Sequence, residues 1–207
     1  MANELDYIGF KKEMLKHLSF YKNILWQYVL QIVKYLFPLV LIPYLTRVLE
    51  PDGYAVYAYV LAFMGFVQVA VEFGFNLLGT KLVASAKSDG ELGRILGSIT
   101  QARTLLCAVA GICTMAACAF VPIMGENPVY CALSYAAVCG RALAPDFLFQ
   151  GKERMSPITT RYLVSKGAST LLTFVVVRSF DDILLIPVLD ILASAIALAW
   201  SLAAARR

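Results

Sequence analysis

The chain has 207 residues, of which 60% are hydrophobic and 15% charged, and its mean hydropathy is +0.72. Soluble domains are nearer 45–50% apolar and about 25% charged, so this composition excludes an ordinary soluble domain and identifies a membrane protein. The formal net charge of +4 is explained below by where the basic residues fall, and no nucleic-acid partner is needed.

A helix that crosses a bilayer needs roughly 20 mostly apolar residues. Six stretches qualify, at about 24–46, 54–78, 95–123, 129–149, 158–178 and 183–202. They are long and continuous rather than alternating over about ten residues, which excludes a β-barrel. The expected fold is an all-α bundle of six transmembrane helices over residues 23–207, preceded by a leader, residues 1–22.

In the leader, Lys11, Lys12, Lys16 and Lys22 are spread over a polar segment, and no small-residue cleavage site follows a short apolar core. It is therefore not read as a cleavable signal. Leu5, Ile8, Met14, Leu15 and Leu18 alternate with the lysines. That pattern fits an interfacial amphipathic helix, and a cytosolic tail equally well.

Helix one, Asn23 to about Thr46, carries Asn23, Gln27, Gln31 and Lys34 along one side. Lys34 falls near the middle of the span. A lysine there costs roughly 2.5–3.5 kcal/mol on insertion scales, so it should face protein or water. The tight loop Arg47–Gly53 follows, with Pro51 and Gly53 suited to a type I or II turn. Helix two begins at Tyr54 and places Gln68, Glu72 and Asn76 on a single polar line. A polar loop over Gly79–Arg94 contains the turn signal Ser88-Asp89-Gly90.

Helix three opens with Ser98, Thr100 and Gln101, carries Arg103, and ends at Pro122 and Gly125. Helix four bears Ser134, Arg141 and Pro145 on related faces, then Asp146. Helix five holds Arg161, Ser165, Lys166, Ser169, Thr170 and Thr173, and helix six holds Asp190 and Ser194 one turn apart. The connections are short, so consecutive helices should pack antiparallel. No internal repeat is visible.

Orientation follows the basic residues of the connections. With the N-terminus inside, one side holds Lys11, Lys12, Lys16, Lys22, Lys81, Lys87, Arg94, Lys152, Arg154, Arg206 and Arg207, and the other only Arg47 and Arg178. Both termini are therefore expected on the cytoplasmic side. Cys107, Cys113, Cys118, Cys131 and Cys139 all lie in helices three and four, and the one histidine, His17, is in the leader. Small apolar packing is the expected role of the cysteines, with no metal site.

The charges at membrane depth are Lys34, Arg103, Arg141 and Lys166 against Glu72, Asp146 and Asp190. Charges at such depth face a cavity and mark a substrate or ion path. An excess of cations suits an anionic substrate, because arginine grips phosphate bidentately. The competing reading is internal pairing, Lys34 with Glu72 and Lys166 with Asp190, which carries no ligand. There is no Gly-rich phosphate loop, nucleophile elbow or acidic metal cluster, so neither catalysis nor a cofactor is expected.

Four stretches resemble one family. They are Asn23…Gln31…Pro38…Pro43-Tyr-Leu-Thr-Arg-Val-Leu49 before Gly53-Tyr54; Glu72-Phe-Gly-Phe75 with Lys81-Leu-Val-Ala84 and Asp89…Leu92…Ile95; Pro145-Asp-Phe-Leu-Phe-Gln-Gly-Lys-Glu-Arg-Met155; and the helix spacing up to Arg207. The chain is similar to the N-terminal half of the polysaccharide (O-antigen and capsule-repeat) flippases of the multidrug/oligosaccharidyl-lipid/polysaccharide exporter superfamily. It departs from the resemblance at Glu50, where glycine is frequent, at Ala55, where glycine is common, and at Phe147, where tryptophan is usual.

The resemblance implies two six-helix lobes around a cationic cavity in the bacterial inner membrane. It also implies alternating access that moves an undecaprenyl-pyrophosphate-linked oligosaccharide between leaflets. Lys34, Arg103, Arg141 and Lys166 are then candidates to meet the substrate, and Glu72 and Asp190 candidates for coupling or gating. Family members are roughly twice this long, so the partners implied are membrane lipids, the lipid-linked oligosaccharide and a second lobe or second copy. Two alternatives stay open: a multidrug or small-molecule antiporter of the same superfamily, and a non-transporting remnant or assembly factor.

Overall fold

The computed structural model describes the backbone of residues 2–205 and the side chains of residues 21–201. The expected interfacial face of the leader lies outside the described side chains. The described residues form nine α-helices, one 3-10 turn and no strands. In order these are α1 (Ala2–Val48), α2 (Glu50–Glu72), α3 (Phe75–Ser85), α4 (Asp89–Phe120), α5 (Pro122–Gly125), α6 (Pro128–Ala142), α7 (Asp146–Gly151), α8 (Ser156–Val176), the 3-10 turn (Phe180–Leu184) and α9 (Leu185–Ala205).

Four segments are long and apolar enough to cross a membrane: Tyr21–Val48, Glu50–Ser85, Asp89–Phe120 and Phe180–Ser201. The helices left out are α5, α6 and α7, which have only 4, 15 and 6 residues, and α8, whose 21 residues include Arg161, Lys166 and seven serines and threonines. Of the polar residues of α8, Lys166, Ser169, Thr170 and Thr173 line the site described below.

The breaks between elements have local causes. Phe73 and Gly74 both take positive φ, 34° and 75°, which stops α2 and restarts the chain as α3. The stretch expected as a loop, residues 79–94, is therefore mostly helical, and only residues 86–88 separate α3 from α4. Ser88 caps α4 by accepting from the Glu91 N–H, while the Glu91 carboxylate accepts from the Lys87 N–H. Ser88-x-x-Glu91 is thus a helix-start signal as much as a turn. Pro145 cannot continue α6, so helix four divides into α6 and α7. Glu50 sits at φ 59°, a left-handed conformation that costs a side chain and suits glycine.

The main apolar core runs through Leu45, Leu49, Val60, Val71, Met124 and Val138, all fully buried. At one end of the bundle, Tyr44 donates to the Phe174 and Val177 carbonyls (3.0 and 2.7 Å). At the other, Thr159 donates to the Trp26 carbonyl (3.1 Å). Residue numbers rise together along this contact, so α1 and α8 are parallel neighbours. In contrast, α8 and α9 are antiparallel: Arg161 reaches Ser201, and Ser169 reaches Asp190.

The motif around Pro145–Met155 serves packing. Phe147, Leu148 and Phe149 are buried. A Cβ on Gly79 would lie 2.7 Å from the Phe147 ring, and one on Gly151 would lie 2.6 Å from Val83. The two glycines let α7 lie directly on α3. The cysteines are all free and only partly follow expectation: Cys107 and Cys131 are buried, whereas Cys113 is exposed. Exposed apolar side chains also line α1 (Tyr28, Ile32, Tyr35, Leu39) and α4 (Leu105, Val109, Ile112, Met115), as surfaces against hydrocarbon require.

Candidate functional site

Five helices, α1, α2, α6, α8 and α9, enclose a cavity of about 450 Å³. Lys34 comes from α1, Arg141 from α6, Lys166 from α8 and Asp190 from α9. Pro38, one turn beyond Lys34, also lines it. A proline there has no N–H for the Lys34 carbonyl, which is left without its helical donor. An open depression of about 910 Å³ between α4, the Leu143–Pro145 break and Leu198 of α9 is lined by Leu96, Thr100, Gln101, Leu105 and other uncharged residues. It holds none of the candidate charges.

Asp190 is the hub. Its Oδ1 accepts from Lys166 Nζ at 2.7 Å and from Ser169 Oγ at 3.1 Å, and its Oδ2 faces Arg141 Nη1 at 3.5 Å. The pair expected between Lys166 and Asp190 is therefore present, but Arg141 shares it. Lys34 does not pair with Glu72. Its ammonium stands 5.8 Å from the Tyr162 ring centroid, a cation–π contact, and it has no ion pair among the described residues. Among the described residues the cavity wall thus carries three cations and one carboxylate, a net charge of +2, and the carboxylate meets two of the three. The side chains of Arg141, Lys166 and Asp190 are 36%, 27% and 22% exposed. They are reachable from the cavity while much of their surface is out of water, where charge-assisted bonds to an anion strengthen.

Two candidates lie elsewhere. Arg103 is 2% exposed and does not line the cavity. It donates to the Ala142 and Ala144 carbonyls (2.9 and 3.2 Å) and to Asn76 Oδ1 (2.9 Å), with Phe147 beneath it at 5.3 Å. Its role is to bind carbonyls freed where α6 stops before Pro145, and to tie that break to α3. Glu72 accepts from Gln68 at 2.9 Å within its own helix and is also outside the cavity. The break at Phe73–Gly74 ends the polar line of helix two, so Gln68 alone of that line reaches the site. Arg161 and Asp146 form a further ion pair at 2.7 Å, with Arg161 also bonded to Ser201. This contact joins α7, α8 and α9.

Sequence reasoning did not single out Tyr57, Tyr130 and Tyr162 as site residues, yet all three line the cavity. A signal existed for Tyr162, which stands one turn before Lys166. Tyr57, Leu61, Met64 and Gln68 likewise follow helical spacing on the face that α2 turns to the cavity.

A family model described as "Polysaccharide biosynthesis protein" matches residues 20–207. A protein of Escherichia coli (strain K12) named "Putative O-antigen transporter" is 31% identical over 167 residues, which is 80% of this chain and 40% of the relative. A protein of the same name from Shigella dysenteriae is 30% identical over 164 residues, 78% of this chain and 41% of the relative. The chain therefore spans about 40% of the length of these relatives. No solved structure matches it. The family model covers nearly all of the described helices, and the chain belongs to the polysaccharide biosynthesis protein family.

Proposed function

We propose that this chain supplies one lobe of a polysaccharide flippase, and that its cavity receives the anionic head of a lipid-linked oligosaccharide. The observation that carries this is that Lys34, Arg141 and Lys166 line one cavity, where Asp190 is the one carboxylate among the described residues. Such charges are costly at membrane depth unless they do work there. A pyrophosphate joined to an undecaprenyl chain matches the net positive wall, and the relatives named as O-antigen transporters support that substrate class. On this reading α6 with α7, and α8, complete six crossings of the bacterial inner membrane, with both termini cytoplasmic. A second lobe, or a second copy, closes the cavity and supplies the rocking needed for alternating access. The antiporter reading is weaker, because Asp190, the one carboxylate among the described residues of the cavity, is already held by two cations.

The test is surface-polysaccharide export in a strain that depends on this gene. Lys34→Ala and Arg141→Ala, alone and combined, should lower export steeply at unchanged protein level in the membrane. Export at the wild-type level from the double variant rules the proposal out.

A further inference from the structure

Lys34 is the one cavity cation that no carboxylate holds among the described residues. Arg141 and Lys166 meet Asp190 at 3.5 and 2.7 Å, whereas the Lys34 ammonium stands 5.8 Å from the centroid of the Tyr162 ring. Lys34 and Tyr162 both line the cavity. The lysine stem is long and flexible. An ammonium held by nothing would be ordered only when a ligand bound, at an entropic cost charged against affinity.

The fold brings cation and ring together. Contacts between the parallel helices α1 and α8 rise in step: Thr159 meets the Trp26 carbonyl, and a Cβ on Gly167 would lie 3.4 Å from Phe37. Lys34 and Tyr162 fall between those levels. The ring is set by a small apolar cluster of Leu30, Phe149 and Ile158, against which Tyr162 packs. Leu30 stands one turn before Lys34, and Ile158 one turn before Tyr162. The helix faces that bury the cluster therefore also present the cation and the ring.

The nature of the holder decides what Lys34 can do. A carboxylate would orient it but cancel its charge, and an incoming anion would have to displace that acid. Arg141 and Lys166 are in this position beside Asp190. The face of an aromatic ring attracts a cation through its quadrupole and carries no net charge. An ammonium has three donors, and a ring on one side leaves others open.

We infer that Tyr162 is a positioning residue for Lys34: its ring holds the ammonium at the cavity wall without neutralising it, so that the full charge is available to an incoming anion. This rests on the anion reading above and adds to it the means by which one contact is kept ready. Tyr162 acts through Lys34.

The test measures binding of farnesyl pyrophosphate, a short prenyl pyrophosphate, by the purified full chain in detergent. Tyr162→Leu removes the ring and should weaken binding about two- to tenfold, the worth of one cation–π contact. Tyr162→Phe keeps the ring and should bind like the wild type. In a Lys34→Met background Tyr162→Leu should cause no further loss, because the cation it positions is gone. Increasingly fluorinated phenylalanines at position 162 keep the ring's shape while draining its face of electron density, so affinity should fall in steps. That series reads the ring's charge distribution even where Tyr162→Leu disturbs packing.

The inference is overturned if affinity is flat across the fluorinated series, or if Tyr162→Leu binds as tightly as the wild type or more tightly. It is equally overturned if Tyr162→Phe loses as much as Tyr162→Leu, or if the Tyr162→Leu loss persists in full without Lys34. Failure of the anion reading shows separately, as wild-type affinity in the combined Lys34→Met and Arg141→Met variant, and it removes this inference too.

Discussion

Lys166 and Asp190 lie 2.7 Å apart across the α8–α9 contact, and the same carboxylate stands 3.5 Å from Arg141. One acid thus holds two cations from two helices. An anion entering the cavity would compete with Asp190 for both, giving the site a built-in means of releasing one contact as another forms.

Removing that acid should therefore unsettle the resting structure. Asp190→Asn leaves Arg141 and Lys166 facing each other without a counterion. Their partial exposure puts the cost between that of an exposed pair and a buried one, about 1–3 kcal/mol. Thermal unfolding in detergent should show a lowered midpoint. Adding Lys166→Met should recover part of the loss, because it removes one of the two unpaired charges. No recovery would mean that Asp190 acts elsewhere.

Arg103 should behave differently from the cavity cations. Arg103→Met strands the Ala142 carbonyl and Asn76 Oδ1 at a helix break, while the Ala144 carbonyl keeps the Asp146 N–H, a loss of about 2–4 kcal/mol for two unsatisfied groups. Arg103→Lys should rescue little, since a single ammonium cannot reproduce the planar fork. Membrane-inserted, protease-resistant protein should fall in both variants, while Lys34→Ala stays at the wild-type level. Full-length resistant Arg103→Met with a selective export defect would return Arg103 to the substrate path.

Gly151 tests the α3–α7 contact. An alanine there meets Val83 at 2.6 Å and the Thr80 carbonyl at 2.9 Å, and neither a Cβ nor a backbone oxygen can move aside cheaply. Gly151→Ala should cost about 1–3 kcal/mol and speed limited proteolysis after residues 152–155. Unaltered proteolysis would place the two helices farther apart than described.

The charged site was partly legible because a charge inside an apolar run has few places to go. Lys34, Arg141, Lys166 and Asp190 all point to an interior, and the helices bring them to one cavity. The same logic misplaced Arg103, because carbonyls released at Pro145 satisfy a guanidinium as well as a ligand would. Spacing along the chain does not tell which will be nearby. The parallel contact of α1 with α8 was hidden for a related reason. Short connections reveal only consecutive neighbours, whereas Trp26 and Thr159 are far apart in sequence.

The most direct test of the central claim places a photo-crosslinking amino acid at Leu61, an exposed position in the cavity wall, in cells labelled in their lipid-linked oligosaccharide. A labelled adduct is expected at Leu61, and it should disappear when Lys34→Ala and Arg141→Ala are combined with the probe. Absence of any adduct in export-competent cells, or an adduct that persists without those two cations, would contradict it.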